Sequence, residues 1–165
     1  MKSRKQLFAD LRKKPEDPDL LSEIASSYYK EANYKKAYVY DRRAWLCNRN
    51  NTIHITNLAA DLEMLGWLED AIKLSKWVLT WSIERICRHT NVSTSRAMTI
   101  KNDCRFRVSY CYYKLEQHSL ARRYLNLYFK IKKRDKLPSD LTHDHQKEFW
   151  RSLNLDGKMK IWETE

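Results

Sequence analysis

Residues 20–47 read LLSEIASSYYKEANYKKAYVYDRRAWLC, and residues 54–81, HITNLAADLEMLGWLEDAIKLSKWVLTW, carry the same pattern 34 positions later. Ala25 recurs as Ala59, Tyr28 as Leu62, Ala37 as Ala71 and Ala44 as Val78. Each copy has a turn in its middle, Glu31-Ala32-Asn33 in the first and Leu65-Gly66-Trp67 in the second. A fixed period of this length denotes stacked supersecondary units, each burying an apolar face against the next. Within a copy the apolar residues return at helical spacing. Leu21, Ile24, Ala25 and Tyr28 fall at i, i+3, i+4 and i+7, so each copy predicts a pair of helices.

Working outward, residues 2–14 predict a short basic helix with Leu7, Phe8 and Leu11 on one side. Pro15 stops it. Asp17 caps the next, with Pro18 in the first turn, where a missing N–H costs nothing. The first pair then spans 18–32 and 34–48, the latter expected to bury Ala37, Tyr40, Ala44 and Leu46. The second spans 52–65, burying Ile55, Leu58, Ala59 and Leu62, and a helix from Leu68 that carries Ala71, Leu74, Val78 and Leu79 and is expected to continue to about Arg88. Gly66 supplies the turn between them, where left-handed backbone is cheap. A third copy holds Val108, Ser109 and Tyr112, then His118, Ala121, Leu125 and Tyr128. Its Ala121 lies 50 positions after Ala71, so 16 residues are inserted, at 86–101. The break at Leu137-Pro138 precedes a last amphipathic helix, 139–155, with Leu141, Phe149, Trp150 and Leu153 in its stripe. A repeat stack needs such a cap over its last apolar face.

The 34-residue unit resembles a tetratricopeptide repeat. The resemblance rests on small Ala25 and Ala59 in the first helix, Tyr28 and Leu62 one turn later, the short turn, Tyr34 and Leu68, then Ala37 and Ala71, Ala44 and Val78 in the second. Two antiparallel helices approach closely only where one offers a small residue. Arg49 departs from the proline common at that position, and Glu116 stands where the third turn would have glycine. The resemblance implies an all-α, right-handed superhelix of about three helix pairs, at 18–51, 52–85 and 102–135. An N-terminal half-repeat helix and the C-terminal cap complete a single domain over 1–165. It also implies a protein-binding role as an adaptor, a dedicated chaperone or an immunity protein that neutralises a toxin.

Composition points the same way. Gly is 2 and Pro is 3 in 165 residues, too few for a turn-rich β domain. No apolar run is long enough to span a membrane, and Met1-Lys2-Ser3-Arg4-Lys5 is not followed by the apolar segment of a secretory signal. Cys47, Cys87, Cys104 and Cys111 form no C-x-x-C pair and read as reduced, mostly buried thiols, which predicts a cytoplasmic protein. The net charge of +11 suggests an acidic partner, although a solvated Lys-rich surface gives the same number.

Little in the sequence speaks for catalysis. His143 and His145 are two apart and diverge on a helix. There is no H-E-x-x-H, no Gly-rich phosphate loop and no G-x-S-x-G. We expect no enzyme activity, no cofactor and no metal. Binding has candidates. In the family the first helix of each pair lines a concave groove, which here implies Tyr29 and Lys30, then Thr56 and Asn57, then Phe106, Arg107, Tyr110, Tyr113 and Lys114. Packed core is the plain alternative for Phe106 and Tyr110. The residues with which some members clamp a C-terminal carboxylate are matched at Asn57 and Arg107, while Ser22, Ser26 and Asp103 stand at the other positions. The insertion and its flanks carry Arg85, Arg88, His89, Arg96 and Lys101, and are expected to form a protruding basic hairpin. The expected partner is another protein that presents an acidic or extended segment. The alternative is RNA, held by the basic, aromatic-containing face, since bases stack on such rings.

Overall fold

The computed structural model describes residues 3–138 and Phe149. Its helices are α1 (Arg4–Lys13), α2 (Pro18–Tyr29), α3 (Tyr34–Cys47), α4 (Thr52–Met64), α5 (Leu68–Leu79), α6 (Ile83–Thr90), α7 (Thr94–Lys114) and α8 (His118–Asp135). Most begin where a side chain satisfies the first free N–H groups. Ser3, Asp17, Asn33, Asn51, Ser82 and Ser93 each accept from a backbone N–H of the first turn. Pro18 opens α2 as expected. The chain is all-α over the described residues, with no strand among them.

One turn is built three times. Ala32, Gly66 and Glu116 hold positive φ, at 56°, 79° and 58°. The next residues, Asn33, Trp67 and Gln117, have φ of −87°, −86° and −85°. Their N–H groups donate back to the carbonyls of Tyr28, Leu62 and Tyr112 at 3.0, 2.9 and 2.9 Å. This is a Schellman ending, in which a left-handed residue lets the chain leave a helix with its last carbonyls satisfied. The three turns stand 34 and 50 positions apart, the spacings of the side-chain pattern.

The turns fold α2 on α3, α4 on α5 and α7 on α8. Ser109 Oγ donates to the Ala121 carbonyl at 2.6 Å, and Asn102 Nδ2 donates to the Tyr128 carbonyl at 3.1 Å. Moving back along α7 therefore means moving forward along α8, so the pair is antiparallel. Ala25, Ala37, Ala59, Ala71, Ser109 and Ala121 have no exposed surface, and these small residues let helix axes close. In the third pair the small residue is a serine, and its hydroxyl is satisfied across the contact. Successive units are joined by packing of α3 on α4 and of α5 on α7, and the first helices also meet, α2 with α4 and α4 with α7.

Two expectations about the helices need correction. Helix five does not continue to Arg88. It ends at Leu79, the chain turns through Thr80 and Trp81, and Ser82 caps a separate α6. Buried Trp81 pins the break. Its carbonyl accepts from Lys101 Nζ at 2.5 Å. Nor does the insertion protrude as a hairpin. Ile86, Ala97 and Ile100 are buried with Ile55, Val78 and Trp81 in one apolar cluster. The Thr52 N–H donates to Thr90 Oγ1 at 3.0 Å, and the two hydroxyls lie 2.8 Å apart, which ties α6 to the start of α4. The helix after the insertion, α7, starts within it, at Thr94, and so is longer than the first helices of the other two pairs.

Leu46 is also not where its expected stripe puts it. It is 40 % exposed, and the buried positions of α3 are Ala37, Asp41 and Ala44. The expected cap at 139–155 and the tail to residue 165 lie outside the described residues, except Phe149, which is buried. No described helix is long and apolar enough to cross a membrane.

Candidate binding face

The first helices α2, α4 and α7 bring together residues that are far apart in sequence. Asn57 Nδ2 donates to Ser22 Oγ at 3.0 Å, and Ser22 Oγ donates to Asp41 Oδ1 at 3.1 Å. Further along the same face, Arg107 Nε donates to Glu63 Oε2 at 3.0 Å. Burial pushes the Glu63 carboxyl up, and Arg107 draws it only partly back. Burial works against the Arg107 charge too, but Glu63 more than offsets it and holds the guanidinium above its ordinary value. Tyr29 sits beside this pair. Burial, then the Glu63 carboxylate, pushes its hydroxyl up to about 12.

Arg107 was expected to stand ready for a partner's carboxylate. Its guanidinium is instead engaged by Glu63, 44 positions away, with the two side chains 17 % and 20 % exposed. Asn57 holds Ser22, and Thr56 Oγ1 donates to the Ile53 carbonyl of its own helix. Lys30 and Lys114 are exposed, with Lys114 Nζ 5.6 Å from the Tyr110 ring centre. Tyr29 is 36 % exposed and meets Tyr34 edge-on at 5.1 Å.

The aromatic group expected in the third first-helix does cluster, but around a residue of the same chain. Phe106, Tyr110 and Tyr113 have ring centres 5.4, 5.4 and 5.3 Å from that of Phe149. Phe106 is buried and also packs on Tyr128. These rings have an intramolecular occupant, which any partner at that position would meet first.

The basic set of the insertion divides. Arg85, Arg88, His89 and Arg96 are exposed on α6 and the first turn of α7. The Arg85 guanidinium lies 3.9 Å from the Trp81 ring centre, a stacked cation–π contact. Lys101 turns inward to the Trp81 carbonyl, and burial, then Arg105, lowers its pKa.

Two residues of this region escaped the sequence reading. Asp41 and Asp61 are buried, at 3 % and 0 % exposure, on the facing helices α3 and α4. Burial raises both carboxyls well above the ordinary range. Neither oxygen of Asp61 meets a protein N–H or O–H donor. Asp41 adds to the rise at Asp61, so the two neighbouring carboxyls resist ionising together. The signal was present, since Asp41 occupies the i+4 place between Ala37 and Ala44 in a buried stripe. An isolated acid in such a stripe points to a paired one.

Charge segregates by helix. α2 and α4 contain no Lys or Arg, whereas α3 and α8 are strongly basic. Cys104 and Cys111 are buried thiols that burial pushes up to about 12, out of reach of thiolate chemistry at neutral pH. Among the described residues no group of three or more His, Cys, Asp or Glu is placed to hold a metal. No family model matches the chain, and no curated protein matches it.

Proposed function

We propose that this is a tetratricopeptide-like protein-binding module, a right-handed stack that holds an extended segment of another protein along α2, α4 and α7. The observation that carries the reading is the threefold turn at Ala32, Gly66 and Glu116, which joins the two helices of each pair by the same backbone conformation. Repeat stacks with this geometry offer their first helices as a continuous surface. On that surface Tyr29, Met64 and Lys114 are exposed, and Tyr29 and Met64 are large apolar side chains without full cover. With Arg107 neutralised by Glu63 and no Lys or Arg on α2 or α4, the face suits a polar or weakly charged segment better than a strongly acidic one. Adaptor, chaperone and immunity roles all use such a face, and a cytoplasmic setting fits the free cysteines.

The test is capture on the wild-type protein beside the double variant Tyr29→Ala, Lys114→Glu, each with and without nuclease. Both positions are exposed enough for the fold to survive, which circular dichroism checks. A protein retained by wild type after nuclease and lost at least tenfold by the variant supports the reading. Retention unchanged in the variant sinks it, and loss of every partner with nuclease moves the function to RNA. Arg107→Glu is a poor probe, because it would set two carboxylates against each other in a half-buried site and unfold the face it was meant to test.

A further inference from the structure

The outward side of α3 is a second, chemically different surface. Lys35, Val39, Arg42 and Leu46 follow at spacings of four, three and four, and all four are exposed. Val39 is 53 % and Leu46 40 % exposed, unusually bare for branched apolar residues on a helix that otherwise packs well. Alternation of four and three is the spacing of the core positions of a two-helix coiled coil, with Val39 and Leu46 at one and the cations Lys35 and Arg42 in place of apolar residues at the other. Lys35 and Arg42 make no ion pair with any described residue. The one acid of α3, Asp41, is buried on the opposite side. Lys36 and Arg43 flank the seam on the side of Tyr28 and Pro15.

We infer that this seam docks an acidic amphipathic helix of another protein, with Leu or Ile against Val39 and Leu46 and Glu or Asp against Lys35 and Arg42. Charge complementarity selects the acid, because the stripe is positive and lacks any counter-charge of its own. The apolar residues select a protein helix over the alternatives. A phosphate backbone would satisfy Lys35 and Arg42 but leave Val39 and Leu46 in water. A membrane surface needs a broad apolar face, and two side chains about 10 Å apart between cations do not make one. A second copy paired about a two-fold axis would set this basic stripe on itself. The inference does not depend on the α2, α4 and α7 face, which is built from other helices.

The experiment uses the full chain and four fluorescent or scattering probes. These are a three-heptad peptide with Leu at the core position facing Val39 and Leu46 and Glu at the other, its Lys counterpart, a single-stranded uridine oligonucleotide, and phosphatidylserine vesicles. The Glu peptide is expected to bind and the Lys peptide not to. Arg42→Glu and Leu46→Ser, both at exposed positions, should each weaken the Glu peptide at least tenfold with helical content unchanged. Met64→Ala, at an exposed position of α4, should leave it unaltered, which separates this surface from the first-helix face. Failure of the Glu peptide to bind overturns the inference. So does binding that Leu46→Ser leaves intact, which would be charge alone. Preferential binding of the oligonucleotide or the vesicles, abolished by Arg42→Glu, would assign the stripe to nucleic acid or to membrane instead.

Discussion

Glu116 holds a φ of 58° in a turn whose counterpart in the second pair is Gly66. For an L residue with a Cβ the left-handed region costs about 1–2 kcal/mol. The helix ending and the packing of α7 on α8 keep the residue there anyway. Glu116→Gly removes that cost and regains some flexibility in the unfolded chain, so the net gain should be about 0.5–1 kcal/mol. Denaturant unfolding measures it directly, and a loss of stability would mean that Glu116 contributes a contact larger than its strain. Ala32, at 56°, has the same backbone and should respond in the same direction. The reading of the turn glycine as a family feature thus concerns cost and not geometry: three different residues take one conformation because the chain on both sides requires it.

At the scale of the element, α6 is the informative case. Its sequence reads as a continuation of α5 that ends in charged solvent, since Arg85, Arg88 and His89 are all exposed. Its inward face, Ile86 and Thr90, is nevertheless buried. The hydroxyls of Thr52 and Thr90 are the polar link between α6 and α4. Thr90→Val keeps the shape and deletes the acceptor of the Thr52 N–H, at a cost of about 1–2 kcal/mol for a buried group left without its partner. Hydrogen exchange should then show the Thr52 amide and the α6 amides opening earlier, with α2 and α3 unaffected. Uniform acceleration over the whole chain would contradict the idea that α6 is held locally.

For the whole molecule, Asp41 and Asp61 couple global stability to pH. Both carboxyls bind their proton more tightly folded than unfolded. Their contribution is therefore fully present below the ordinary carboxylate pKa of about 4 and is lost as pH rises through the higher folded values. Stability should decline from mildly acidic toward alkaline pH. Asp61→Asn lets an amide donate to an ionised Asp41 and removes the second ionisation, so it should flatten the decline and stabilise the protein by about 1–3 kcal/mol at pH 8. Thermal melts from about pH 5 to pH 9 decide it, and a variant that keeps the wild-type slope would show that other groups carry the dependence. The Arg107 charge pulls the Asp61 carboxyl partly back toward its ordinary range and stays fixed over these pH values. The all-helical class of this protein and most of its helix starts were legible along the chain. Helix starts, turns and the small residues at Ala25, Ala37, Ala59 and Ala71 depend on neighbours a few positions away, and such local preferences are written in the sequence itself. What each outward or inward side chain meets was decided only in three dimensions. Arg107 meets Glu63 from 44 positions away, Asp41 reaches Asp61 on the next helix, and Phe106, Tyr110 and Tyr113 close on Phe149. An error of one position in a helix face turns a side chain by about 100°, enough to exchange groove for core, and a periodic pattern does not specify the face that finely.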